Sequence, residues 1–114
     1  EGSFDALAAG RGKALFVGKA QCAGCHVPPL YTEPGYAIHT PAEIGIDSFQ
    51  ADRSPTRGYR TSPLAGLWSH QKGGFYHDGR FATLDDVVNH YNAFLGLNLG
   101  STEKRDLVQF LLSL

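Results

Sequence analysis

Residues 22–26 read Cys-Ala-Gly-Cys-His, and no other stretch restricts the chain so far. Two thiols with two residues between them, followed at once by an imidazole, are the spacing of covalent c-type haem attachment. The chemistry sets the spacing. Each thiol adds to one vinyl group on the same porphyrin edge, and the short loop between them swings the next residue beneath the iron. Cys22 and Cys25 are then the attachment residues, and His26 is the proximal ligand through one imidazole nitrogen. The other nitrogen needs an acceptor to fix tautomer and orientation. The carbonyls of Val27-Pro28-Pro29 lie nearest in sequence. Other uses of the pentapeptide fit less well. A thioredoxin-like pair needs a βαβ setting, and no strand-rich pattern surrounds it. A structural zinc site needs four ligands, and the chain has only these two cysteines; Cys22, Cys25 and His26 would have to recruit a distant histidine. A disulfide between residues so close would constrain little.

The 114 residues make one small domain, 1–114, of which 1–10 read as a lead-in or linker. A chain of this size builds only a modest core, so a haem, as a large apolar body, would couple binding to folding. Ten basic and eleven acidic side chains leave a formal charge of −1. That balance offers no electrostatic reason to bind nucleic acid or an anionic membrane. No apolar run approaches spanning length. Thioether attachment implies export to the periplasm or an equivalent compartment. With no signal-like segment and no methionine, the sequence is expected to be a mature form or a domain cut from something longer. The missing methionine matters chemically. Common high-potential cytochromes c pair His with an axial Met; here the sixth position falls to His, Tyr, Lys, water or nothing.

The rest of the chain reads as all-α. Asp5 is a candidate N-cap, and Ala14, Leu15 and Phe16 form an apolar patch on a helix ending at Gly18. Gly10 and Gly12 each weaken that helix by about 1 kcal/mol relative to alanine, and close helix packing is one reason to keep them. Residues 27–63 hold all six prolines and little periodicity. They read as a long ordered loop wrapped round a haem edge, with one helical turn at Pro41–Ile44 capped by Thr40. Residues 64–70 suggest a short helix. Thr83 caps a helix from Leu84 to about Leu95, with Asp85 and Asp86 in its first turn and Gly96 as its stop. Ser101 or Thr102 caps the last helix, where Leu107, Phe110, Leu111 and Leu114 mark one face.

His39, His70, His77, His90 and Tyr91 are the candidates for the far side of the iron. On the helix from Leu84, the residues Leu84, Val87, Val88 and Leu95 define a buried stripe, and Tyr91 falls near its middle. His90 lies about 100° away, at the edge or outside. Periodicity leaves Tyr91 open between a core tyrosine with a bonded hydroxyl and an iron ligand. His90 reads more simply as a surface histidine. His77 sits in Phe75-Tyr76-His77-Asp78-Gly79-Arg80-Phe81, whose Asp-Gly pair marks a turn. It is a candidate ligand, propionate partner or distal acid/base, and equally a histidine tying the turn to backbone. Trp68, Arg60 and Arg80 are candidate propionate partners, with Arg57 a further one, since guanidinium suits carboxylates.

Three stretches carry a family resemblance: Tyr59-Arg60-Thr61-Ser62-Pro63-Leu64, then Gly74-Phe75-Tyr76-His77-Asp78-Gly79-Arg80-Phe81-Ala82-Thr83-Leu84, then Val87-Val88-Asn89-His90-Tyr91-Asn92. Their order resembles the C-terminal haem domain of the bacterial di-haem cytochrome c peroxidases, including the relatives that mature methylamine dehydrogenase. The resemblance implies a cytochrome c-like fold. It also implies that the helix after the His-Asp-Gly turn supplies the distal ligand, methionine in typical peroxidases and tyrosine in the maturation enzymes. The matching position is Tyr91. The family carries two haems on two domains, whereas this chain has one Cys-x-x-Cys-His, so peroxide turnover does not follow. The leading expectation is a single-haem, low-potential electron-transfer domain with His26/Tyr91 ligation, paired with a redox partner protein or a second haem domain. The competing one is a peroxidase or oxidase domain with an openable distal site, where His77 or His90 moves protons. A ligand-binding haem sensor is the third.

Overall fold

The computed structural model describes residues 3–33, 37–67, 74–75 and 81–114. Its helices are α1 (Ala6–Val17), α2 (Pro41–Ile44), α3 (Phe49–Asp52), α4 (Leu84–Leu95) and α5 (Ser101–Leu112). Among the described residues there is no strand, only isolated antiparallel bridges at His39–Tyr59 and Phe75–Phe81.

Asp5 caps α1 as its sequence indicates, accepting the Leu7 and Ala8 amides at 3.0 Å each. The helix runs unbroken through Gly10 and Gly12. The two glycines have different reasons to be there. A β-carbon on Gly12 would collide with the Asp106 carbonyl of α5 and come within 2.8 Å of Phe110 Cβ, so α1 and α5 cross at backbone contact. Gly10 has nothing within 4 Å of that position, so close packing does not account for it. Beside the crossing, Arg11 holds Asp106 in a fork, Nε to Oδ2 at 2.7 Å and a terminal nitrogen to Oδ1 at 2.9 Å. Asp106 is buried at 3 % exposure, and this paired geometry is what a buried carboxylate requires.

Phe16, Leu84, Val88, Leu97, Leu99, Leu107, Val108, Phe110 and Leu111 form the core, where α1, α4 and α5 meet. The α4 boundaries match expectation: Thr83 Oγ1 accepts the Asp86 amide, Asp86 accepts the Thr83 amide, and Gly96 ends the helix. Its stripe is shorter than the sequence suggests. Leu84 and Val88 are buried, but Leu95, in the last turn, is 45 % exposed. Asn92 Oδ1 accepts the Leu99 amide at 2.8 Å, tying the end of α4 to the connection that leads into α5. The last helix is capped one residue earlier than expected. Gly100 is its N-cap, and Glu103 takes the Gly100 amide at 3.0 Å in place of a Ser101 or Thr102 hydroxyl.

Between the motif and residue 63 the chain is mostly irregular, as expected, with α2 capped by a reciprocal Thr40–Glu43 pair. The short α3 has no counterpart in the sequence reading. Of the short helix expected over residues 64–70, the described part is a turn at Ala65 and Gly66 that leads into a 3₁₀ residue at Leu67, whose amide donates to the Leu64 carbonyl at 3.0 Å.

Candidate functional site

Cys22 to Gly24 form one 3₁₀ turn directly after α1, and the Cys22 carbonyl accepts the amides of both Cys25 (3.3 Å) and His26 (2.9 Å). The two thiols and the imidazole therefore emerge from a single hydrogen-bonded knot. Both cysteines are free thiols, half-buried. Burial pushes the Cys22 thiol up to about 11. Burial also raises Cys25, with the carboxylates of Glu33 and Glu43 adding to the shift. Both thiols are thus kept protonated.

The His26 ring lies beside Phe16, centroids 6.4 Å apart. Its Nδ1 is 2.9 Å from the Tyr31 carbonyl. A carbonyl can only accept, so Nδ1 carries a proton. Burial lowers the His26 pKa, partly offset by the carbonyls of Tyr31 and Ser62 and by Glu33, and this favours the neutral ring a metal requires. The acceptor is Tyr31, not the Val27-Pro28-Pro29 carbonyls that sequence proximity singled out; the chain turns further before returning to the ring.

On α4, Tyr91 is half-buried against the core cluster, as its place in the stripe predicts. His90 is not a surface residue. It is half-buried, with Nε2 3.4 Å from the Ile44 carbonyl and its ring stacked parallel on Phe94 at 6.0 Å. The contact joins α4 to the end of α2, where Gly45 has φ +68° and a β-carbon would come within 2.6 Å of Phe94. A Gly following a one-turn helix was the available signal for that docking. His39 pairs with the Glu33 carboxylate through Nε2 and lies 3.7 Å from Glu43 through Nδ1. Thr61 Oγ1 donates to the same Glu33 carboxylate at 2.6 Å. Ligand atoms of Cys25, Glu33 and His39 lie within 4.8 Å of one another, so Glu33 belongs to the surroundings of the motif although nothing in its sequence context marks it. Arg60 and Arg57 are exposed. Trp68, His70, His77 and Arg80 lie outside the described residues.

The donor set fits a covalent haem: two thiols on one turn, a neutral imidazole with one nitrogen already committed, and an aromatic wall from Phe16. A helical frame carrying that turn is compatible with the class of cytochrome-like haem domains. Comparison with known proteins supports the di-haem cytochrome c peroxidase family. The chain is 30 % identical to the methylamine utilization protein MauG of Methylorubrum extorquens, over 89 % of this chain and 33 % of the relative. It is 29 % identical to the cytochrome-c peroxidase IdrP1 of Denitromonas iodatirespirans, over 82 % of this chain and 34 % of that protein. To the cytochrome-c peroxidase IdrP2 of a Pseudomonas species the identity is 26 %, over 90 % and 38 %. The chain thus spans about a third of the length of the curated relatives it matches. No family model matches the sequence, and no solved structure matches it.

Proposed function

We infer that this chain is a c-type haem domain that carries single electrons, with one haem held by Cys22 and Cys25 and its iron ligated by His26 and Tyr91. The observation that supports this most directly is the His26 ring, held through Nδ1 and flanked by two free thiols on one turn. When bound, the haem supplies a one-electron iron couple. The chain's residues set its working range. His26 offers Nε2, and its bonded Nδ1 strengthens that donation. Tyr91, as a phenolate ligand, would favour ferric iron and lower the potential, the reverse of what a Met ligand does. Arg60, with Trp68 and Arg80, is assigned to the propionates. The electron passes to a partner protein or to a second haem domain, in the periplasm or an equivalent exported compartment. No described helix is long and apolar enough to cross a membrane.

A peroxidase reading is favoured by one observation, that two relatives are named cytochrome-c peroxidases. In it the Tyr91 side opens, and His77 or His90 handles protons. Produced in a host that matures cytochromes c, the protein is expected to gain the mass of one haem, to lose it in Cys22→Ser/Cys25→Ser, and to show a midpoint potential below the His/Met range. A potential within that range contradicts His26/Tyr91 ligation. Sustained turnover of hydrogen peroxide would put the peroxidase reading first.

A further inference from the structure

The geometry points to Tyr31 as the residue that positions His26, an inference that rests on His26 being the haem ligand. Tyr31 has φ +55°, in the left-handed region that a bulky side chain seldom occupies. Such a conformation persists only where the surroundings over-determine it, and it gathers at functional sites. Two independent sets of contacts hold Tyr31 there. Its ring stands edge-on to Phe16 (centroids 5.8 Å, 80°) and to Phe110 (5.9 Å, 71°), inside the α1–α5 core. Its backbone neighbours are strapped to residues 61–65. The Ala65 amide donates to the Leu30 carbonyl at 3.4 Å, the Thr32 hydroxyl donates to the Thr61 carbonyl, and the Thr61 hydroxyl donates to Glu33 at 2.6 Å.

The left-handed turn aims the Tyr31 carbonyl back at the imidazole five residues earlier, 2.9 Å from Nδ1. With φ in the usual negative range the peptide plane would rotate and the carbonyl would leave the ring. Tyr31 is therefore a positioning residue. Its side chain anchors the backbone, and its carbonyl fixes the plane and raises the basicity of His26. The phenolic hydroxyl plays no part in this role, so the aromatic ring matters and the oxygen does not.

The test compares holoprotein of wild type, Tyr31→Phe, Tyr31→Ala and Thr61→Val by two readings that a merely structural role would not move. One is the midpoint potential; the other is exchange of the His26 Nδ1–H in the ferrous state, followed by NMR. Tyr31→Phe is expected to match wild type in both. Tyr31→Ala is expected to raise the potential and to speed exchange about tenfold, equivalent to ~1.4 kcal/mol of lost hydrogen bonding. Thr61→Val, which removes the hydroxyl tie to Glu33 and leaves the Ala65–Leu30 and Thr32–Thr61 bonds in place, is expected to shift both in the same direction by less. If Tyr31→Ala accumulates no holoprotein, Thr61→Val decides: a shift supports the assignment, and wild-type values overturn it. Unchanged potential and exchange in a haem-loaded Tyr31→Ala also overturn it, leaving the ligation reading intact. Absence of covalent haem from wild type overturns the ligation reading itself.

Discussion

The α1–α5 pair and the loop from Ala37 to Pro63 are built on opposite principles. The helix pair is closed by its own atoms: Gly12 against the Asp106 backbone, Arg11 on the buried carboxylate, Phe16 edge-on to Phe110 at 5.1 Å. Among the loop's described residues only Ala51 is buried, and the loop is held by polar ties such as His39–Glu33, Thr61–Glu33 and the mutual backbone bonds of His39 and Tyr59 at 2.8 Å. A segment rich in hydrogen bonds and poor in apolar contact gains little net stability from each tie. Haem would supply the apolar body that the loop lacks. The frame is expected to stand without the cofactor, and the loop to depend on it.

Removal of the cofactor breaks that comparison most severely. In Cys22→Ser/Cys25→Ser the amides of residues 37–61 are expected to lose hydrogen-exchange protection while those of α1 and α5 keep most of theirs. Uniform loss across both regions would show that the frame is not self-sufficient. Gly12→Ala attacks the frame instead. Forcing a β-carbon into the Asp106 backbone is expected to cost about 1–3 kcal/mol or more, equally with and without haem, as read by denaturant melts.

Acid sharpens the same division. The hydrogen bonds and charge of Arg11 hold the Asp106 carboxyl below its ordinary 3.8. A depressed folded-state pKa contributes stability that is complete above the unfolded value and is lost as pH falls through the folded one. Asp106→Asn is therefore expected to be less stable than wild type at neutral pH and to show a flatter decline below pH ~4. Because Arg11 is half exposed, added salt is expected to narrow the gap. A wild type and variant with parallel acid limbs would remove the pair from the frame's stability. The smallest expected effect is local: Thr83→Ala, on α4, is expected to cost ~1 kcal/mol of global stability. Thr40→Ala, on the loop, is expected to loosen only α2, seen as faster exchange of the Gly45 and Ile46 amides.

The two regions also differ in how far they could be read in advance. Asp5, Thr83 and Thr40 declared their helices because a cap is local chemistry, three residues wide. The motif declared itself because thioether geometry leaves little freedom in spacing. What stayed hidden depends on the chain returning to itself. The partner of His26 is Tyr31, not one of the nearer carbonyls, because a left-handed aromatic residue cannot be foreseen from its neighbours. His90 is half-buried because α2 docks on it from 46 residues away. Gly100 displaced Ser101 as cap because Glu103 reaches back to its amide, a reciprocal bond that a search for hydroxyls passes over. Leu95 fits the periodic stripe but falls in the final turn, past the point where α4 covers the core.

The most direct test of the ligation is the ferric optical spectrum of the holoprotein recorded beside Tyr91→Phe. A phenolate charge-transfer band in wild type that vanishes in the variant is the predicted result, and it would fix Tyr91 on the iron opposite His26. An unchanged low-spin spectrum in Tyr91→Phe would contradict it and hand the sixth position to a histidine, with His77 the first to replace.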